Sequence, residues 1–253
     1  MTSAEPVETK TAEKQGFFVR FNMGQRVEHF ILMITFTVLA VTGLAQKYST
    51  AGWAEWLILN LGGIEWVRLI HRAFAFLFTL SAIYHAILLV YATWVRNAKL
   101  SMMVSLKDFQ DIVDAVKYSF GLSDRKPEYG RYDYRQKFEY WGVLFGSLII
   151  IGSGDFMMFP AAVTRFLPGQ FVAAAVAFHG NEAMLAVLTI VIWHLYDVIF
   201  KPDIFPADTS VFTGKISMKR MREEHALELT EAGVGEETET PPVVGPAKDS
   251  PAT

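Results

Sequence analysis

Not one residue of this 253-residue chain is cysteine. That removes disulfides, thiolate metal sites, iron–sulfur clusters and thioether-attached haem from this polypeptide. Carboxylates are scarce inside the long apolar stretches, where, apart from Glu28, Glu139 and Asp197 at their ends, only Asp155 and Glu182 fall, so an acidic ion pathway lacks its side chains. A cleavable leader is also missing from the pattern. The first fifteen residues are polar, and the first apolar block ends without a small-residue cleavage site, so it is expected to remain as a membrane helix. The net charge of −3 gives no single-signed field, and no nucleic-acid partner is expected.

Apolar residues are what the chain has in abundance, at 52%, and they come in blocks that are apolar on nearly every helix face. A hydrocarbon core about 30 Å thick takes about 20 such residues at 1.5 Å rise. Four segments approach or exceed that length, at about 27–45, 66–95, 138–159 and 171–200, the first reaching full length only if it begins near Met23. Each must satisfy its own backbone hydrogen bonds, so the expected fold is an all-α bundle of four membrane helices. Nine Lys or Arg lie between Arg96 and Lys137, and more flank both termini, whereas the connections at about 46–65 and 160–170 are nearly free of them. The positive-inside rule then puts both termini and the 96–137 loop in the cytoplasm.

Residues 1–15 read as a disordered tail, 16–229 as the membrane domain and 230–253 as a second disordered tail rich in Glu, Thr, Pro and Gly. Residues 16–26 look like an interfacial lead-in, and a short helix is expected around 216–229. From Ser105 to Phe120, Leu106, Phe109, Ile112, Val113, Val116 and Phe120 recur at helical spacing opposite Lys107, Asp108, Asp111, Asp114 and Lys117. That amphipathic helix suits the cytoplasmic membrane surface or a soluble partner subunit equally. No internal repeat stands out.

Five of six histidines lie in or at the edge of the spans: His29, His71, His85, His179 and His194. A lone membrane histidine is usually a satisfied structural one, but five arranged by depth point to function. His71 and His85 are 14 residues apart, about 21 Å along a helix and about 40° in rotation; His179 and His194 are 15 apart, about 22 Å and 60°. Two such helices can hold two stacked haems by paired imidazoles. Topology puts His71 and His179 near the outer surface. His29, His85 and His194 lie toward the cytoplasm, three candidates for two positions. Gly142 and Gly146, with Gly43, Gly152 and Gly154, mark thin places where helices or a flat macrocycle approach closely. A haem-free anchor for a redox enzyme and a histidine-lined metal transporter are the competing classes.

From about Phe18 to Glu228 the chain resembles the four-helix membrane cytochrome b superfamily, which includes formate dehydrogenase gamma subunits and nickel–iron hydrogenase b-type cytochromes. The marks are Arg26-Val-Glu-His29 and Thr42-Gly43, then Arg68-Leu-Ile-His71-Arg72 and Tyr84-His85. Glu139-Tyr-Trp-Gly142 and Phe166-Leu-Pro-Gly169 follow. His179-Gly-Asn-Glu182-Ala, Trp193-His194-Leu-Tyr196, Phe212-Thr-Gly214 and Glu224-His225 complete the set. The resemblance implies two haems b (His71 with His179, and His29 with His194) and leaves His85 as a substitute for His29, a quinone-site residue or a structural one. It further implies an electron-transfer subunit of a quinone-linked complex in a bacterial or archaeal cell membrane. An extracytoplasmic iron–sulfur protein or multihaem cytochrome c would be the partner. Beside the inner haem, Glu28, Arg135, Glu139 and Tyr140 are expected to serve either as a quinone site or as interfacial anchors.

Overall fold

The computed structural model describes residues 16–98, 100–125 and 127–233; most of both expected tails therefore lies outside the described residues. Among the described residues four helices are long and apolar enough to cross a membrane: α1 (Met23–Lys47), α3 (Ile64–Trp94), α5 (Tyr134–Met158) and the span Gln170–Phe200. The last consists of α7 (Gln170–Leu188) continued by π-helical turns over Thr189–His194 and Tyr196–Phe200. Shorter pieces join them: α2 (Gly52–Asn60) and α6 (Pro160–Val163) in the first and third connections, and α4 (Leu106–Ser119) in the second.

Helix starts follow from local chemistry. Asn22 and Asp133 cap α1 and α5, each accepting from a backbone N–H three residues on while Gln25 or Gln136 reaches back to the cap. Thr35, Thr42, Thr79, Thr93, Ser147 and Ser153 turn their hydroxyls onto carbonyls four residues earlier, which hides each polar group within its own helix. Packing is closest within two antiparallel hairpins, α1 with α3 and α5 with α7; contact between hairpins, α1 to α7 and α3 to α5, is sparser. The few buried residues in the spans are mostly small or polar, among them Thr35, Thr42, Ala45, Gly146 and Ala175, while large apolar side chains point outward. That inversion is what a lipid solvent selects.

The buried apolar cluster sits instead at the end of the bundle where the first and last described residues lie. Phe18, Ile216, Met221 and Leu229 pack together there. They belong to β1 (Phe17–Val19), ahead of α1, and to β2 (Lys215–Ser217), α9 (Met218–Glu224) and α10 (Ala226–Glu231), these last three following the single turn α8 (Ser210–Thr213). The strands pair antiparallel, Phe18 opposite Ile216. Residues 16–26 are thus not a simple interfacial lead-in. Phe18 and Arg20 are buried because the C-terminal segment supplies β1 with a partner strand and Arg20 with Glu228, which Arg131 also contacts at 3.1 Å. Thr230 and Glu231, expected in a disordered tail, close α10.

Helix α4 is turned opposite to a soluble amphipathic helix. Asp108 and Asp111 are its buried residues; Asp108 takes Lys137 at 2.7 and 2.9 Å. Its apolar stripe faces out, with Leu106 82%, Phe109 60% and Val113 50% exposed. Lys137 lies in the first turn of α5, and Trp141 one turn deeper donates to the Met102 carbonyl at 2.9 Å, so α4 rides level with the start of a membrane span.

Candidate functional site

The far end of the bundle, opposite the β1–β2 pair, brings His71 of α3 and His179 of α7 together, ring centroids 6.3 Å apart and planes at 71°. The terminal end brings His29 of α1 and His194 together at 6.2 Å. Two imidazoles on opposite sides of one metal, with bonds of about 2 Å each plus the half-rings, put centroids about 6 Å apart. Both pairs meet that spacing.

Nitrogen chemistry points the same way. The Thr42 hydroxyl donates to the Val38 carbonyl at 2.6 Å and so accepts from His71 Nδ1–H at 2.8 Å. His179 Nδ1–H donates to the Ile150 carbonyl at 3.1 Å, with Ser153 Oγ at 3.2 Å. His194 Nδ1–H donates to Glu139 Oε2 at 3.0 Å. In each case the bonded Nδ1 carries the proton and leaves the Nε2 lone pair for a metal, the arrangement by which a supporting group orients a ligand imidazole. The residues present therefore fit haem. Among the described residues no three histidine, aspartate or glutamate side chains converge as a metal-ion cluster would need.

His85 is placed differently. Its Nδ1 bonds Glu28 Oε2 at 2.8 Å and its Nε2 bonds Tyr140 OH at 3.1 Å, so both ring nitrogens are engaged. Of the residues expected around a quinone, Glu28 and Tyr140 thus meet through His85. Glu139 is committed to His194, and Arg135 to Asp133 at 2.7 Å and Asp197 at 3.5 Å.

Taken together these contacts form a quasi-two-fold repeat that the sequence pattern did not reveal. On α1, Glu28 and Thr42-Gly43 grip His85 and His71 of α3; on α5, Glu139 and Ser153-Gly154 grip His194 and His179 of α7. A Cβ on Gly43 would lie 3.2 Å from His71 Cε1, and one on Gly154 would lie 3.3 Å from His179 Cε1, so each glycine gives its histidine room. Of the other thin places, Gly142 and Gly152 have open space, while a Cβ on Gly146 would lie only 2.9 Å from Glu182 Oε1. Glu28 to Thr42 and Glu139 to Ser153 are both 14 residues, and so is His71 to His85. The odd spacing is His179 to His194, at 15. The π-helical turn at Thr189–His194 takes up the extra residue, since each π turn holds more residues than an α turn. Under this relation the pair His71–His179 maps onto itself, and His29–His194 maps onto Tyr140–His85, whose rings are 5.9 Å apart. The matched 14-residue spacing of Glu and Ser/Thr-Gly was the available signal; without contacts it could not be told from chance.

A family model described as prokaryotic cytochrome b561 matches residues 11–106, which include α1 to α3. The cytochrome b556(Fdn) subunit of the nitrate-inducible formate dehydrogenase of Escherichia coli (strain K12) is 20% identical over 212 residues, 84% of this chain and 90% of that subunit. The counterparts from Escherichia coli O157:H7 and Shigella flexneri match equally.

Proposed function

We propose that this chain, a membrane cytochrome of the b superfamily, holds two haems b and passes electrons across the bilayer between an extracytoplasmic redox subunit and a quinone. The observation that carries the reading is the pair of imidazole couples, His71 with His179 and His29 with His194, at nearly equal spacing and opposite ends of one bundle. Haem supplies one-electron chemistry at each couple when bound. The chain's own contribution is orientation and burial. Thr42, Ile150 and Glu139 fix the imidazoles, the glycines admit them, and the lipid-facing shell excludes water.

The charge pattern supports a cytoplasmic location for both termini, hence for the His29–His194 couple. The same end carries Glu28, His85 and Tyr140 in one hydrogen-bonded line. Reducing a quinone takes two protons with two electrons, and this line offers a hydroxyl donor backed by an imidazole and a carboxylate. We assign it to the quinone side of the reaction, in place of Arg135 and Glu139. The partner, by likeness to a formate dehydrogenase subunit, is the soluble part of an oxidoreductase.

The test is haem per purified chain by pyridine haemochrome, with a dithionite-reduced minus oxidised spectrum and reduction by a quinol. Two haems b, one of them lost in His71→Ala and in His179→Ala, is the expected result. A folded chain without a Soret band would leave only a membrane anchor, and both haems surviving either substitution would refute the far-end assignment.

A further inference from the structure

The two couples differ in what stands behind them. At the far end the Nδ1 partners are neutral: a threonine hydroxyl for His71, a carbonyl and a serine hydroxyl for His179. At the terminal end His194 donates to a carboxylate, Glu139 Oε2, at 3.0 Å. That carboxylate is poorly compensated. Among the described residues Glu139 Oε1 is buried with no hydrogen-bond partner, and the cation one turn away, Arg135, is spent on Asp133 and Asp197. Phe138 stacks on Trp193 at 5.4 Å beside the Glu139–His194 contact, adding apolar cover.

We propose that Glu139 is a positioning residue that acts through His194 to make the terminal-end haem the lower-potential one of the two. This rests on the two-haem reading above. Two effects have the same sign. A ligand imidazole bonded to a carboxylate gains imidazolate character and pushes electron density to the iron, favouring the oxidised state. Bis-imidazole haem b also carries one net positive charge when oxidised and none when reduced, ignoring its propionates. A buried anion lacking its own cation therefore stabilises the oxidised form. Neither effect operates behind His71 or His179.

The experiment is an optically monitored redox titration of the purified full-length protein and of Glu139→Gln, Glu139→Asp and His71→Ala. Two waves are expected. The wave surviving in His71→Ala should be the lower one, and Glu139→Gln should raise that wave alone. Glu139→Asp, which keeps the charge, should leave it low. Survival of the higher wave in His71→Ala would overturn the proposal, as would a Glu139→Gln protein whose two waves stay where they were. Should Glu139→Gln fail to hold haem, the wave order in His71→Ala decides alone. A preparation without haem would instead defeat the underlying cytochrome reading, a different and separately visible failure.

Discussion

Replacing His85 by Phe should leave two haems per chain, whereas replacing His29 by Ala should leave one. The structure supplies the reason and the size. His85 has both ring nitrogens bonded, to Glu28 at 2.8 Å and Tyr140 at 3.1 Å, so neither is directed at a metal. His29 faces His194 at 6.2 Å, and among the described residues no hydrogen bond engages its ring nitrogens. In His85→Phe the loss is two hydrogen bonds, and the Glu28 side chain, 21% exposed, loses its imidazole partner. An abandoned, partly buried acceptor costs about 1–3 kcal/mol. For a chain of this size that lowers the melting temperature by about 2–4 °C per kcal/mol. Haem content and both redox waves should survive, while quinol-driven haem reduction slows. In His29→Ala the pyridine haemochrome should fall from two per chain to one, with only the far-end spectrum left. Loss of haem in His85→Phe together with full retention in His29→Ala would refute the argument, because the inner ligands would then be His85 and His194.

Gly43→Val should deplete the far-end haem, since even a bare Cβ at that position stands 3.2 Å from His71 Cε1; haem per chain is the measurement. Glu228→Ala removes the carboxylate that Arg20 and Arg131 share in a buried site, which costs about 3–5 kcal/mol. Amide exchange across Phe17–Val19 and Lys215–Ser217 should then quicken by about a hundredfold or more, up to the limit set by full opening. Acid should loosen the same region through His225, whose Nδ1–H donates to the Gly130 carbonyl at 2.8 Å. Burial, and after it the Arg20 charge, lowers its pKa from 6.5 to about 4. The opened segment therefore binds a proton the folded one refuses. Stability is full above pH 6.5 and declines as pH falls toward 4, by about 3 kcal/mol in all, readable as faster exchange in that window. Single cysteines placed at Phe109 and at Asp114, in a chain with no cysteine of its own, should divide: a fluorophore at 109 is quenched by lipid-borne quenchers in nanodiscs and one at 114 is not. Equal protection at both would turn the outward stripe of α4 toward a protein partner.

Composition and patterning alone determined the membrane class, because 20-residue apolar blocks have few other stable environments, and the four spans fall within a few residues of their expected places. The histidines were legible as a set for the same reason, since a polar ring in hydrocarbon stands out. Depth alone paired His71 with His179, and the family resemblance paired His29 with His194, but spacing left His29 and His85 as rivals for the inner position. That choice depends on helix rotation and on a π turn that takes up the fifteenth residue before His194, which no spacing rule encodes. The C-terminal segment read as a short helix, yet its strand pairs with residues 196 to 200 positions earlier, and only that contact makes Phe18 and Arg20 interior. Glu139 looked like an interfacial anchor or quinone ligand. Its bond to His194 arises because α5 packs against α7, bringing together side chains 55 residues apart. Length and hydrophobicity are summed along the chain and survive in the sequence; the pairing of polar groups is a property of helix faces, and appears only when the helices pack.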